Sequence, residues 1–290
     1  MRYKTIIIKI LNILMWVGIT SAVVVLLISA VQNEKKQNCK DVKIAFTDNK
    51  PFRMLEESEV INTLWPTQTN SYPVGKSIMN VSLYSLEKQL KNNPWVLDAN
   101  LYFDQQNILH IEIKQRNPIA RIFSPEGNSF YLDDSLFLLP LKASGVLDLP
   151  VFTNFKITPA GTNSADSLIM NRILGLALFI QKDPFWMAQV EQIYINQHGG
   201  FEMTTQVGDQ SVVLGTESNW QEMFSKLKRL YQYFGTESEW SKYRTIDLQF
   251  NDQVVCGKGK MENTGSDSVM VEITNRNVNI DTVKLFKKKL

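Results

Sequence analysis

Cysteine and histidine are nearly absent from this chain: two of each occur in 290 residues. A structural zinc site draws about four Cys or His ligands, and a disulfide framework needs more cysteines than this. Most haem, iron–sulfur and thiol redox chemistry is excluded with them. An excess of charge of one sign is also missing. Lys and Arg total 31 against 29 acidic residues, a formal net charge of +2, which leaves no basic surplus to grip a phosphate backbone. Nucleic acid is therefore not an expected partner. No Gly-rich phosphate loop opens a helix, and neither G-x-S-x-G nor H-E-x-x-H occurs. What remains is a hydrolase built on hydroxyls and carboxylates, or a binding protein.

Apolar residue is not lacking. At 44% hydrophobic and 21% charged the composition is that of a globular protein, and the length suits about two domains. One stretch stands apart: residues 10–31, ILNILMWVGITSAVVVLLISAV, carry no charge. About 20 apolar residues cross a hydrocarbon core, so the stretch reads as a single transmembrane helix. A cleaved signal peptide is the competing reading, because Ser29 and Ala30 are small, but signal h-regions run to only about 15 residues. Gln37-Asn38 before Cys39 is no lipoprotein box. Basic residues flank both ends (Arg2, Lys4 and Lys9; Lys35, Lys36, Lys40 and Lys43), so charge alone does not orient the helix. The expected arrangement is a cytoplasmic stub at 1–9, the helix, a linker at 32–41 and an exported body.

That body divides by pattern. Val42, Ile44 and Phe46 alternate with polar or small neighbours and predict a strand over 39–47. Residues 56–64 and 81–91 carry apolar stripes at helical spacing, with Ser82 as a capping candidate and Asn92-Asn93-Pro94 as the stop. Strands follow over 95–103 and 108–114 around the turn Asp104-Gln105-Gln106-Asn107. The result is a β-α-α-β-β unit over 42–117, in which Trp95 is expected to pack between sheet and helix. Beyond Pro118 the pattern predicts strands over 119–123, 129–132, 136–139, 190–195, 201–205, 211–214, 245–250 and 253–256. Two helices interrupt them, over 166–182 and 220–234, the second with a Ser218/Gln221 capping box and Gly235 at its C′ position. The second domain is placed at 118–258, and residues 259–290 read as a flexible tail with a weak strand near 269–273. The fold class is α+β: a transmembrane helix, a small α/β unit, then a larger mixed β-sheet domain with two or more helices.

Chemistry-bearing residues each have a plain structural reading. His110 falls on the polar face of a strand, and His198 in a hairpin turn. Asp133-Asp134 resembles a carboxylate pair, yet the Ser135-Leu136-Phe137 that follows makes it a turn between strands. Cys39 and Cys256 meet only if the chain's ends fold together; otherwise Cys256, on an apolar strand, is a small buried hydrophobe. No catalytic residue, metal ligand, cofactor or small-molecule substrate is expected.

Residues 86–122, LEKQLKNNPWVLDANLYFDQQNILHIEIKQRNPIARI, nonetheless carry a recognisable sequence of landmarks. Asn93-Pro94-Trp95-Val96, Ala99, Leu109-His110-Ile111-Glu112-Ile113 and Pro118-Ile119-Ala120-Arg121 resemble the end of a POTRA domain of the FtsQ/DivIB family. Tyr131-Leu132-Asp133-Asp134, Leu138-Leu139-Pro140-Leu141, Leu149-Pro150-Val151-Phe152 and Ile246-Asp247-Leu248-Gln249-Phe250 resemble later landmarks, in the right order. The resemblance implies a non-enzymatic, single-pass scaffold of the bacterial divisome, held in the cell inner membrane with its bulk in the periplasm. It implies binding to FtsB and FtsL and a link between septal wall synthesis and the division ring. Partner contacts then map onto Gln249, Phe250, Asp252, Gln253 and Val254. The hairpin spanning 245–256 is expected to be the exposed edge of its sheet, with Phe250 either an anchor or a core residue. Two other readings are a membrane-anchored, carboxylate-dependent cell-wall hydrolase and a POTRA-type assembly chaperone.

Overall fold

The computed structural model describes residues 12, 14–27, 37–47, 53–66, 72–142, 145–156, 164–208, 210–234, 243–258, 268–272 and 285–287. The expected stub at 1–9, both ends of the expected 10–31 span and Gly235 lie outside them. Residues 14–27 are helical, with apolar side chains such as Leu14, Trp16, Val25 and Leu26 mostly exposed. Among the described residues no helix is long and apolar enough to cross a membrane. The remainder divides between Arg116 and Asn117 into two compact units.

The first unit contains β1 (Asp41–Phe46), α1 (Glu57–Leu64), α2 (Leu83–Lys91), β2 (Val96–Phe103) and β3 (Ile108–Gln115). Its sheet runs β1-β3-β2, with β1 parallel and β2 antiparallel to the central strand. Period-two alternation decides that centre: Leu109, Ile111 and Ile113 are fully buried while the residues between them are not. α2 packs on β2 and α1 on α2, bringing Val60, Leu64 and Leu90 into the core with Trp65 and Trp95. Polar groups fix the joints. Gln115 Oε1 accepts the Met54 and Leu55 N–H groups at 3.1 and 2.9 Å, and Glu87 accepts the Leu101 N–H at 3.1 Å. Ser82 Oγ takes the Ser85 N–H, so α2 begins at Leu83 rather than at 81. In the β2–β3 turn the Asp104 carboxylate accepts the Ile108 N–H and meets His110, which together hold its carboxyl below the usual range.

The second unit contains β4 (Pro118–Phe123), β5 (Ser129–Asp133), β6 (Leu138–Pro140), β7 (Val151–Thr153), α3 (Ser164–Gln181), α4 (Pro184–Gln189), β8 (Val190–Ile195), β9 (Phe201–Thr205), β10 (Ser211–Gly215), α5 (Trp220–Phe234), β11 (Thr245–Asp247), β12 (Gln253–Gly257), β13 (Ser268–Glu272) and β14 (Leu285–Lys287). They form one sheet in the order β14-β13-β12-β11-β10-β9-β8-β7-β4-β5-β6. Where a helix intervenes, the flanking strands run parallel: β7 with β8 across α3 and α4, and β10 with β11 across α5, as a crossover requires. The helices bury their apolar faces together with the sheet. Phe224 meets Trp186 and Phe179 at ring distances of 4.8 and 4.9 Å, and Trp220 stacks on Phe201. Arg172 reaches across this core, its guanidinium 4.2 Å from the Phe201 ring and donating to the Gly199 and Gly215 carbonyls at 2.6 and 2.7 Å.

Several expected boundaries shift for local reasons. Residue 136 does not open a strand: Leu136 has φ 63 inside a turn whose Ser135 and Phe137 N–H groups are both accepted by Asp133. The short β7 and α4 carry too few residues to show a period; α4 is capped instead by Asp183, which accepts the Phe185 N–H at 3.0 Å. α5 begins at Trp220, so Asn219, which donates to Glu222, precedes the helix in place of the expected Ser218 box. β11 ends at Asp247 rather than at 250. Within the expected 259–290 tail, β13 and β14 continue the sheet past β12.

Two outcomes follow from this packing. Trp95 is 1% exposed, so Trp95→Ala should lower unfolding stability by about 3–5 kcal/mol in a urea titration. Both cysteines are free and buried, and burial pushes the Cys256 thiol up from 9.0 to about 12. Thiol titration should therefore find no reactive group in the native chain at pH 8 and two after denaturation. Unfolding releases the Cys256 proton above its ordinary value, so this thiol leaves stability unchanged below pH 9.0 and lowers it as pH rises toward about 12.

Candidate partner-docking site

The five candidate contact residues lie on the turn from β11 to β12 and the first residues of β12. Sequence alternation alone extends β11 to Phe250; a side chain from α5 prevents it. Lys226, its side chain only 7% exposed, donates from Nζ to the Leu248 and Phe250 carbonyls at 2.9 and 2.8 Å and faces Glu222 Oε1 at 3.5 Å. A buried ammonium needs such partners, and here it holds the two carbonyls away from the sheet ladder. Asp252 completes the reversal at φ 55. Asp247 Oδ1 accepts both the main-chain and side-chain N–H of Gln249, folding that side chain over Gly215. Gly215 has φ 67, and a Cβ there would collide with the Gln249 amide.

This arrangement sorts the candidates. Gln249 and Asp252 are exposed, Gln253 is half-buried, and Phe250 is 50% exposed and so is not a core residue. Val254 is fully buried in the main cluster, so its side chain is not available to a partner, and its main chain stands opposite Val271 of β13. An open polar cleft of 340 Å³ adjoins the turn, lined by Glu222, Ser225, Lys226, Arg229 and Asp252 among others. The expected exposed edge needs correction. β13 pairs with β12 along Gln253–Gly257, and β14 pairs with β13, so the chain's own strands cover the edge that the hairpin was expected to offer.

Lys226 is the residue that sequence reasoning missed. The apolar stripe of α5 draws attention to Met223, Phe224, Leu227 and Leu230, and a lysine beside it reads as solvated. The available signal is Glu222 four residues earlier, an i,i+4 ion pair, although such pairs usually lie in solvent. Elsewhere the chemistry-bearing residues are occupied by structure. Asp133 is fully buried with its carboxylate on the turn amides, and Asp134 meets Asn117 at 3.2 Å. His110 stacks on Tyr102 and bonds Asp104. The His198 N–H donates to Asn196 Oδ1 in the β8–β9 turn. Among the described residues no group of three or more His, Cys, Asp or Glu side chains is placed to hold a metal.

Comparison with known proteins gives these two units a common context. Residues 37–114 match a POTRA-like domain model, and residues 117–257 match a model described as FtsQ/DivIB, C-terminal related. The class is thus a POTRA-like module followed by a mixed-sheet domain of the FtsQ/DivIB C-terminal type. The chain is similar to "Cell division protein FtsQ" of Geotalea daltonii, 26% identical over 190 residues that cover 63% of this chain and 66% of that relative. Across both units the chain resembles the FtsQ/DivIB family.

Replacing Lys226 by Met keeps the volume but strips the Leu248 and Phe250 carbonyls of their buried donor. The expected cost is about 1–3 kcal/mol, read as a lower urea midpoint. Amide exchange at Gln249 should speed up at the same time, because the turn loses its tie to α5.

Proposed function

We propose that this chain is a non-enzymatic, membrane-anchored scaffold of the bacterial divisome, docking FtsB- and FtsL-like proteins through the β11–β12 turn and the start of β12. Phe250 is the observation that carries the reading: a large aromatic left 50% exposed on a turn whose main chain is held from beneath by Lys226. A rigidly presented aromatic is the usual anchor of an interface. The resemblance to the FtsQ/DivIB family favours a division role over wall hydrolysis or outer-membrane assembly.

Anchoring is supported by residues 14–27, a helix whose leucines and valines are half or more exposed in many places. Such a surface is costly in water and favourable in lipid. The uncharged run continues on both sides of that helix from residue 10 to 31. In this reading the body is periplasmic and links septal wall synthesis to the division ring.

Phe250→Ala removes the anchor without emptying the core, so the protein should keep its melting temperature. Its affinity for FtsB- and FtsL-like proteins from the same membranes should fall by about tenfold or more, the effect of losing a hot spot of ~2 kcal/mol. Unchanged recovery at equal expression would refute docking at this turn. Turnover of purified peptidoglycan by the body would favour the hydrolase instead.

A further inference from the structure

We propose that β13 and β14 are a built-in competitor for the docking edge, an intramolecular strand pair that closes β12 until a partner strand displaces it. This inference rests on the docking reading above and adds a control to it.

Main-chain alternation shows what the pair covers. The Leu248 N–H donates to the Val213 carbonyl at 3.0 Å, toward β10. Its neighbour Asp247 therefore faces β12, and Val255, opposite Asp247 in register, faces back toward β11. Alternation turns the main chain of Val254 and Cys256 the other way, toward β13. There Val271 and Val269 stand opposite them, with Glu272 opposite Gln253. A partner strand adding to β12 needs the same donors and acceptors that β13 now takes. The two cannot be satisfied at once.

The ends of the sheet argue for displacement rather than extension. β14 is three residues long, Leu285–Lys287, and two further lysines follow it in sequence. At the opposite end β6 is also three residues and finishes in Pro140. Short strands carrying Lys or Pro are how sheets blunt an edge against added strands. Neither end of this sheet therefore offers a docking edge, and β12 offers one only when β13 leaves. The competing pair also lies beyond the family match, which stops at residue 257, and it pairs with the strand where docking is proposed. Residues 258–267, KGKMENTGSD, join β12 to β13. A strand tethered through so short a connection competes at an effective concentration on the order of millimolar. The partner's apparent affinity then falls in proportion to the fraction of molecules that are open.

The test compares the full chain with one ending at Lys258. Residue-resolved amide exchange should show Val254 and Cys256 protected in the full chain and exchanging rapidly in the shortened one, while Val255 stays protected in both. A labelled peptide of residues 266–274 should bind the shortened chain, and the full chain at least about tenfold more weakly. FtsB- and FtsL-like proteins should likewise bind the shortened chain about tenfold more tightly. A third variant, V255C/M270C, joins two residues opposite in register at a non-hydrogen-bonded position, where main chains lie close enough for a disulfide. Oxidised, it should bind neither probe; reduction should restore both. Equal exchange at Val254 and Cys256 in the two chains would overturn the proposal, as would partner binding indifferent to both truncation and oxidation. Weaker partner binding by the shortened chain would also overturn it, making the pair part of the docking surface. These failures leave the Phe250→Ala effect standing. Its absence is what sinks the docking reading itself.

Discussion

A strand in a sheet has main-chain groups on both sides, and both sets need partners. That requirement shapes the β11–β13 end of this sheet. β11 takes one side of β12, through Val255 and Gly257. The other side, through Val254 and Cys256, is left to whatever strand comes next, and in this chain β13 comes next. Because the side chains of Val254 and Cys256 are fully buried, the strand is fixed in the core whatever pairs with its outer side. In the proposed reading the edge can therefore change partners without unfolding the domain.

The same economy appears at the turn before β12. Lys226 rises from the buried side of α5 and takes two carbonyls that would otherwise continue the ladder. One helix residue thus ends a strand, aims Phe250 outward and borders a polar cleft. Its stability is inherited from the apolar joint of α5 with α3 and α4, where Phe224 meets Phe179 and Trp186. The geometry of the turn and the packing of the core share one helix. A defect in that joint would loosen the turn even though no contact residue had changed.

The POTRA-like unit follows a simpler logic. Its central strand buries Leu109, Ile111 and Ile113, and single polar side chains, Gln115 and Glu87, set the approach of the segments around α1 and α2. Such an arrangement is legible along the chain. Alternation at 108–114, the Asn-Asn-Pro stop and the helical stripes at 56–64 and 81–91 state local preferences, and the core agrees with all of them. Trp95 is buried as the pattern expects because it directly follows the helix stop and must turn inward with the strand.

The sequence by itself determined the elements whose period repeats often enough to be read: α2, α5, β3, β8 and β9, and the division into a small α/β unit and a mixed sheet. It also carried the family, through landmarks spread over both units. What only the tertiary structure decided are features made by residues far apart in the chain. Lys226 shortens β11 from 22 residues away, Asp133 places Leu136 in a turn, and β7 exists because β4 and β8 lie on either side of it. The fate of β12 belongs to this group. Its own five residues specify a strand with one buried face, but a strand's hydrogen-bonding sides are the same for any sequence, so only the arrival of β13 decides whether its edge is open or closed.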